Sequence, residues 1–287
     1  MTRSRSPEPA RRRRAVFLDV DGTLVGWDGR IPASTVEAVR GARAAGHAVF
    51  VCTGRSRAEL WPDLLDIGFD GVIGASGAFV AVGGEVVVHR AIPEDDLAFA
   101  LAWFDRHDTG VVLQADDAIL APVAIRDRMR ASLPDLGQTP EEFARGSFGF
   151  IDRVRTDGDR SGVLVTKLVY LGCPLPVDAV QEALAGRFDV VASSVEAFGP
   201  GCGEVTVAGL DKAAGMVAAL THLGLDRADS IAIGDSWNDV ELLRAAGVSI
   251  AMGNAPDAVK AIADEVTGRV DEDGLHAAFV RHGLIGA

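Results

Sequence analysis

Two carboxylates separated by one residue, Asp19 and Asp21, follow a short apolar run and precede a glycine. One such carboxylate can attack an electrophile and also bind a metal ion, while its neighbour transfers protons. Gly22 lets the backbone bend closely and offer N–H groups to an anion. Taken alone, an Asp-Gly pair is more typical of a simple turn, so the chemistry depends on what else lies nearby.

Two further patterns could bind phosphate. Thr53 and Gly54 directly follow the apolar run 48–52, where a hydroxyl and a backbone amide can hold phosphate oxygens, although the pair is also common in turns. Lys212 lies at the start of a predicted helix and is one of only three lysines in the chain. A compact ammonium charge suits a transferring phosphoryl group. We expect the other two, Lys167 and Lys260, to be ordinary exposed side chains.

The fourth pattern, Gly-Asp-Ser-Trp-Asn-Asp at residues 234–239, places Asp235 and Asp239 four residues apart where a helix is predicted to begin. Acids at this spacing can share a helical face and hold a hard cation such as Mg²⁺, which prefers oxygen ligands. Asp235 or Ser236 could instead cap the helix without any metal. Each pattern has such a simpler explanation, but four of them in this order favour one shared site.

The elements that position these residues alternate between strand and helix. Short apolar runs indicate buried parallel strands at 15–20, 48–52, 71–74, 230–233 and 248–251. Helical patterns separate them at 33–45, 56–67, 211–223, 237–246 and 255–263. We therefore predict an α/β fold with a Rossmann-like parallel sheet. Since such sheets bind ligands at the carboxyl ends of their strands, the four patterns should meet at one edge.

The alternation is interrupted after about residue 83. Strand-like and helix-like segments follow in a less regular order, separated by loops rich in Gly, Pro and Asp. Their combined length is typical of an independent domain. We predict a catalytic core of residues 15–83 and 195–287, and an inserted α+β domain of residues 84–194.

The four patterns resemble the motifs of haloacid dehalogenase (HAD) superfamily phosphatases. The similar segments are FLDVDGTL, VCTGR, the lysine of GLDKAAG, and GDSWNDVELLRAAGVSIAMGNA. The insertion resembles the cap of the Cof-type branch, which lies between the second and third motifs. The resemblance covers about residues 15–82 and 204–284, whereas the cap is similar only in position and size. One departure is Ser76, where many relatives have asparagine at a position that faces the site entrance.

The resemblance implies an Mg²⁺-dependent phosphatase that forms an aspartyl-phosphate. Asp19 would be the nucleophile and Asp21 the general acid and base. The Asp19 carboxylate, the Asp21 carbonyl and Asp235 would hold Mg²⁺, with Asp239 close by. The residues that would bind the phosphoryl group or substrate are Gly22, Thr53, Gly54, Ser76, Lys212 and Asn238. The cap would select the leaving group of a small phosphorylated metabolite, such as a sugar phosphate or a phosphorylated cofactor.

Two alternatives remain open from the sequence. A phosphomutase or phosphotransferase would return the phosphoryl group to a second hydroxyl. A non-enzymatic phospho-switch also uses Asp, Thr and Lys around Mg²⁺, but it gains nothing from a second acid such as Asp21 or from a large insertion.

Charge and hydropathy exclude two classes of partner. The net charge of −13 argues against a nucleic-acid-binding surface, and no uncharged apolar stretch approaches the ~18 residues that span a bilayer. A body this acidic needs a metal or a few well-placed cations to bind anions.

The two remaining sequence features concern location. Residues 1–14 contain six arginines and are predicted to form a disordered basic tail. The apolar run after it is broken at Asp19, too early for a signal peptide. The three separated cysteines, Cys52, Cys173 and Cys202, are typical of a reduced cytosol, so we expect a cytoplasmic protein. No sequence feature selects an oligomeric state.

Overall fold

The computed structural model describes residues 12–133, 137–193, 198–199 and 201–286. Most of the predicted basic tail lies outside these ranges, and so does the predicted boundary between residues 194 and 195. The last part of the tail differs from the prediction, because it contacts the core. The Arg12 guanidinium pairs with Asp229, and Arg14 donates to the carbonyl oxygen of Ala228 at 2.8 Å.

Thirteen strands lie within the described residues and form two sheets. In chain order they are β1 Ala15–Leu18, β2 Ala48–Cys52, β3 Gly71–Gly74, β4 Phe79–Val82, β5 Glu85–His89, β6 Gly110–Ala115, β7 Ile119–Leu120, β8 Val165–Leu171, β9 Phe188–Ala192, β10 Gly203–Val207, β11 Ser230–Gly234, β12 Val248–Ala251 and β13 Glu265–Val266.

The core sheet has eight strands in the order β13-β12-β11-β1-β2-β3-β4-β5. All neighbours from β13 to β3 pair in parallel, whereas β3, β4 and β5 form an antiparallel meander. Every residue of β1, β2 and β11 is buried, which is usual when helices cover both faces of a parallel sheet. The predicted α/β core is confirmed.

Ten α-helices lie within the described residues. They are α1 Ala33–Ala44, α2 Pro62–Leu65, α3 Glu94–Arg106, α4 Val123–Ser132, α5 Pro140–Arg145, α6 Val177–Leu184, α7 Lys212–Leu223, α8 Val240–Ala245, α9 Asp257–Lys260 and α10 Gly274–Arg281. On the core sheet, α1 and α10 cover one face, and α7, α8 and α9 cover the other. Within the described part of the chain, no helix is long and apolar enough to cross a bilayer.

The cap sheet has five antiparallel strands in the order β7-β6-β8-β10-β9. One of its faces packs against α3 and α6 around Phe104, Tyr170 and Leu184. The other face carries Val112 and Val169 and, together with α4, forms a separate apolar cluster. This arrangement confirms the predicted α+β cap.

Strand pairing shows that both ends of the inserted domain differ from the prediction. Residues 85–89 were expected in the cap, but β5 turns back through Gly83 and Gly84, both with positive φ, and pairs with β4 of the core sheet. Residues 203–207 were expected in the core, but β10 pairs with β8 and β9 of the cap sheet. The predicted core segment 195–287 therefore begins too early, because β10 pairs antiparallel between β8 and β9 and so belongs to the cap sheet.

The helix predicted over residues 56–67 is also wrong. The structure has a 3₁₀ turn at Arg57–Glu59 and then the short helix α2. Pro62 restricts the residue before it to extended backbone, and Trp61 has φ −113° and ψ 158°. The chain therefore leaves helical geometry before Pro62 and starts again at it.

Candidate active site

Asp19 and Asp21 follow the carboxyl end of β1, in the middle of the core sheet. The N–H of Asp19 donates to the carbonyl oxygen of Ile233 at 3.0 Å and continues the pairing with β11. Gly22 has φ +86°, and a Cβ there would lie 2.1 Å from Oδ2 of Asp235. Only glycine allows the turn after β1 to approach the end of β11 this closely.

Lys212 is the first residue of α7 and reaches this strand end from the opposite side. Its Nζ donates to Oδ1 of Asp19 and Oδ1 of Asp239, each at 2.6 Å. The start of the helix is fixed by Asp211, whose side chain accepts from the N–H of Ala214 at 2.7 Å. Burial lowers the pKa of the Lys212 ammonium, but Asp19 and Asp239 together raise it above its usual value, so the side chain stays charged.

Both carboxylate oxygens of Asp239 are engaged. Oδ1 accepts from Lys212, and Oδ2 accepts from the backbone N–H groups of Asp235 and Ser236, each at 3.0 Å. The predicted helix over 237–246 begins instead with a 3₁₀ turn at Trp237–Asp239, which allows this bonding. Asp239 is fully buried, and through these hydrogen bonds it positions Lys212 and the turn after β11.

Asp235 is held by two side chains from elsewhere in the core. Its Oδ1 accepts from the Thr23 hydroxyl at 3.3 Å, and its Oδ2 accepts from the Asn254 amide at 3.1 Å. The same amide donates to the carbonyl oxygen of Gly22 at 2.9 Å. Asn254 therefore joins the turn after β1 to the turn after β11.

The resulting cluster has more negative than positive charge. Oxygen atoms of Asp19, Asp235 and Asp239 lie within 4.8 Å of one another, and Lys212 is the ammonium bonded among them. Burial, followed by the charge of Asp239, raises the pKa of Asp19 well above its usual value and that of Asp235 to about 7. A divalent cation would relieve this excess charge, and an all-oxygen donor set is the kind that Mg²⁺ prefers. These residues therefore fit the implied metal.

Asp21 points to a different partner, Arg55. The guanidinium binds its carboxylate at two points, with Nε to Oδ2 at 2.7 Å and Nη2 to Oδ1 at 2.8 Å. The same guanidinium donates to Oγ of Ser147 at 2.7 Å and to its carbonyl oxygen at 2.8 Å. Because Ser147 lies between α5 and the following 3₁₀ helix, Arg55 links the second carboxylate of the site to the cap. Trp61 and Phe148 flank the guanidinium, with ring centroids 5.2 and 5.9 Å from its central carbon.

The predicted phosphate-binding residues divide into two groups. Thr53, Gly54 and Asn238 line a cavity that also contains Asp19 and Asp21. Gly22, Ser76 and Lys212 are not among the residues that line it. Ser76 has a φ of 54° and a ψ of 38°, directly after another residue with positive φ, and its N–H donates to the Thr53 carbonyl oxygen at 3.1 Å. Ser76 therefore supports the Thr53 loop through its backbone.

The cavity lies between the carboxyl ends of the core strands and the cap sheet, and its volume is about 60 Å³. This is room for only a few water molecules, at roughly 10–15 Å³ each. The cap contributes about half of its wall, namely Val112, Gln114, Met129, Phe148, Phe150, Lys167, Val169, Ser193, Phe198 and Glu204.

Lys167 is a cap residue that the sequence analysis placed wrongly at the surface. Only 2% of it is exposed, and its Nζ pairs with Oε2 of Glu204 at 2.6 Å and donates to the carbonyl oxygen of Gly54 at 2.7 Å. It therefore holds the cap sheet against the Thr53-Gly54 loop. Lys260, by contrast, is partly exposed and lies 3.7 Å from Asp257 within its own short helix.

A second polar pair joins cap and core beside Lys167. Glu59 is buried, and its Oε1 accepts from Nε2 of Gln114 on β6 at 2.8 Å, while its Oε2 accepts from the N–H of Ser56 at 2.6 Å. Burial raises the pKa of Glu59, and the charges of Lys167 and Arg55 oppose that effect.

The structure thus brings together Asp19, Asp21, Gly22, Thr53, Gly54, Lys212, Asn238, Asp235 and Asp239, all from the sequence prediction. The sequence prediction did not include five residues that complete the site: Arg55, Gln114, Asn254, Lys167 and Glu204. Arg55 and Asn254 lie inside segments already identified as motifs, so their proximity to other motif residues was an available clue. The three cap residues have no such clue, because they lie in no motif.

Comparison with known proteins agrees with this geometry. A family model described as haloacid dehalogenase-like hydrolase matches residues 16–279. The Bacillus subtilis protein named "Putative phosphatase YkrA" is 30% identical over 274 residues, which covers 95% of this chain and 98% of that protein.

Two solved structures share the whole architecture. BT1666 from Bacteroides thetaiotaomicron, a phosphatase of the same superfamily, superposes with a TM-score of 0.76 at 25% identity, covering 99% of this chain and 100% of that one. The HAD subclass IIB sugar phosphatase BT4131 gives a TM-score of 0.72 at 27% identity, covering 95% and 100%. The chain therefore belongs to the haloacid dehalogenase-like hydrolases and is a phosphatase of that family.

Proposed function

We propose that this phosphatase is Mg²⁺-dependent, acts on a sugar phosphate or phosphorylated cofactor, and works through an aspartyl-phosphate on Asp19. The observation that carries the proposal is the double contact of Lys212 with Asp19, which lines the cavity, and with the fully buried Asp239. It fixes one oxygen of the nucleophile and places a permanent positive charge where the phosphoryl group has to arrive.

In the first step, an oxygen of Asp19 bonds to phosphorus while the bond from phosphorus to the alcohol oxygen breaks. The leaving oxygen takes a proton from Asp21. The backbone of Gly54 and the side chains of Thr53 and Asn238 line the space that the phosphoryl oxygens would occupy. Such a transfer requires positioning and charge neutralisation more than covalent chemistry from the protein.

In the second step, Asp21 takes a proton from a water molecule that attacks phosphorus, and the bond to Asp19 breaks to release inorganic phosphate. Asp21 acts as a carboxylate in this step, and its two-point contact with Arg55 holds that carboxylate in place. For the first step, Asp21 has to exchange Arg55 for the leaving oxygen. Displacement of the cap, which carries the Ser147 partner of Arg55, would permit that exchange.

Asp19, Asp235 and the backbone carbonyl of Asp21 would hold Mg²⁺, with Asp239 as a supporting neighbour. The bound ion would neutralise charge on the nucleophile and on the phosphoryl oxygens. Asn254 and Thr23 keep Asp235 directed toward this position.

The test is release of inorganic phosphate from a panel of sugar phosphates with Mg²⁺, comparing the wild type with Asp19→Asn. The variant should lose at least about a thousandfold in kcat, because an amide is a poor nucleophile for phosphorus. Its thermal unfolding should show no loss of stability, since the change removes one of three crowded buried carboxylates. Substantial Mg²⁺-dependent turnover by Asp19→Asn would show that the nucleophile is assigned wrongly.

The same panel separates the alternatives. A phosphomutase would give an isomeric sugar phosphate without net phosphate release, and a phospho-switch would give a phosphorylated chain that persists for hours.

A further inference from the structure

The cavity wall supplied by the cap has its own pattern of hydrogen-bonding groups. On β6, β8 and β10, alternate side chains face opposite ways, so Leu113, Leu168 and Val205 enter the cap core. The side chains between them face the cavity instead. Gln114 and Lys167 are direct cross-strand partners on this face, and Glu204 lies on the next strand.

Gln114 carries the strongest indication of a ligand. It is 3% exposed, and its Nε2 is committed to Glu59 at 2.8 Å. Its other amide atom, Oε1, is buried, lies on a residue that lines the cavity, and accepts no hydrogen bond from any residue that the structure describes. Because an unsatisfied buried acceptor is costly, this oxygen calls for a donor from a bound molecule.

The charges around Gln114 disfavour a carboxylate group on the substrate, because a carboxylate carries no hydrogen-bond donor. Among the described residues that line the cavity, the cations are Arg55 and Lys167, and each already faces a carboxylate, Asp21 for the first and Glu204 for the second. Glu59 adds a further negative charge beside Gln114. A carboxylate on the substrate would meet acceptors and acids beside Gln114, where Lys167, the cation on the same face of the cap sheet, is already paired with Glu204.

These cap residues also lie where the alcohol part of a bound substrate would be. A Cβ built on Gly54 would lie 3.4 Å from Oε2 of Glu204, 3.5 Å from Nζ of Lys167 and 3.5 Å from Nδ2 of Asn238. The cap pair is therefore next to the loop that is proposed to hold the phosphoryl oxygens, on its cap side.

We propose that Oε1 of Gln114, together with Glu204, forms a cap-borne acceptor site for a hydroxyl or ammonium group on the alcohol part of the substrate, and that it disfavours a carboxylate there. This inference rests on the proposed phosphatase function and narrows it to phosphomonoesters of polyols or amino alcohols. Lys167 holds Glu204 in position, and Glu59 orients the amide of Gln114.

The experiment compares kcat/KM for three substrates with Mg²⁺: a hexitol phosphate, phosphoglycolate, and p-nitrophenyl phosphate, whose alcohol part has no donor. The wild type should prefer the hexitol phosphate over phosphoglycolate by at least about tenfold. Gln114→Met should lower kcat/KM for the hexitol phosphate about fivefold more than for p-nitrophenyl phosphate. The same change at Gln181, whose side-chain hydrogen bonds with described residues are to Phe188 and Val190 of β9, is the matched control and should leave the ratio unchanged.

Glu204→Gln provides a second variant if Gln114→Met folds poorly. It should reduce the difference in kcat/KM between the hexitol phosphate and phosphoglycolate. The inference is overturned if the wild type hydrolyses phosphoglycolate as well as the hexitol phosphate. It is also overturned if both cavity variants lower all three activities by the same factor, since that would mean a structural role only. Failure of the wild type to hydrolyse any of the three, p-nitrophenyl phosphate included, contradicts the phosphatase proposal itself.

Discussion

Asp19 and Asp21 are two residues apart but lie in different surroundings. Asp19 is 6% exposed at its side chain and is bonded to a buried ammonium, whereas Asp21 is 34% exposed and is paired with a guanidinium that also contacts the cap. A nucleophile needs a fixed position, and an acid and base needs partners it can exchange. The difference in environment supports the two roles proposed for these carboxylates.

The carboxylate excess at the floor of the site gives a prediction at the residue scale. Saturating Mg²⁺ should raise the Tm of the wild type by about 5 °C or more, because a ligand that binds only the folded state stabilises it. Asp235→Asn should lose most of this shift, as it removes a charge that would hold the ion. Differential scanning fluorimetry across an Mg²⁺ titration measures the shift in Tm for both proteins.

The matched control is Glu241→Gln, an exposed acid on α8 that pairs with Arg244. Its Mg²⁺-dependent shift should equal that of the wild type. An unchanged shift in Asp235→Asn would mean that the ion binds elsewhere.

At the scale of elements, the turns after β1, β2 and β11 and the start of α7 meet at one place. Arg55 follows β2 by three residues and extends this meeting point into the cap through Ser147. Arginine suits the position because its planar fork can serve Asp21 and Ser147 at once, which a lysine cannot do.

Arg55→Lys should therefore lower kcat/KM by roughly ten- to a hundredfold, because Asp21 loses its two-point contact. Ser147→Ala removes only one of the contacts and should cost less. Steady-state assays with p-nitrophenyl phosphate measure both, and Arg57→Lys, at an exposed position two residues further along the chain, is the control. If the two arginine variants behaved alike, the link between Asp21 and the cap would have no role in turnover.

The motifs could be predicted from the sequence because each one follows an apolar strand, and parallel strands bring their carboxyl ends together. Asp19, Thr53 and Asp235 are of this kind. Lys167 and Gln114 could not be predicted, because their burial depends on how the cap sheet lies over the core. The ends of the insertion also differ from the prediction, since the sheet that β10 joins is decided by its pairing with β8 and β9 and not by the pattern of its own residues.

At the scale of the whole molecule, the cap sheet covers the site, whereas the described arginines Arg12 and Arg14 contact Asp229 and Ala228, just before β11. The cavity of about 60 Å³ is small, so we expect the cap sheet to be displaced when a phosphorylated substrate enters. Water exclusion after closure would protect the phosphorylated aspartate from side reactions.

The amino-terminal arginines provide a prediction at this scale. Deleting residues 1–11 should leave phosphatase kinetics and Tm unchanged. Deleting residues 1–14 should lower Tm, since Arg12 and Arg14 contact Asp229 and Ala228 on the core, but should also leave the kinetics unchanged. Thermal unfolding and steady-state assays on both truncations test this. A large loss of kcat in either one would mean that this end of the chain belongs to the site.

Formation of a covalent phosphoryl group on Asp19 is the central claim. Asp21→Asn should be phosphorylated by radiolabelled p-nitrophenyl phosphate with Mg²⁺, because the phenolate leaves without a proton donor, whereas water attack then lacks its base. Acid quenching and peptide mapping should find about one hydroxylamine-sensitive phosphoryl group per chain, on Asp19. Release of p-nitrophenol with no label on the protein, or with label on another residue, would contradict the account.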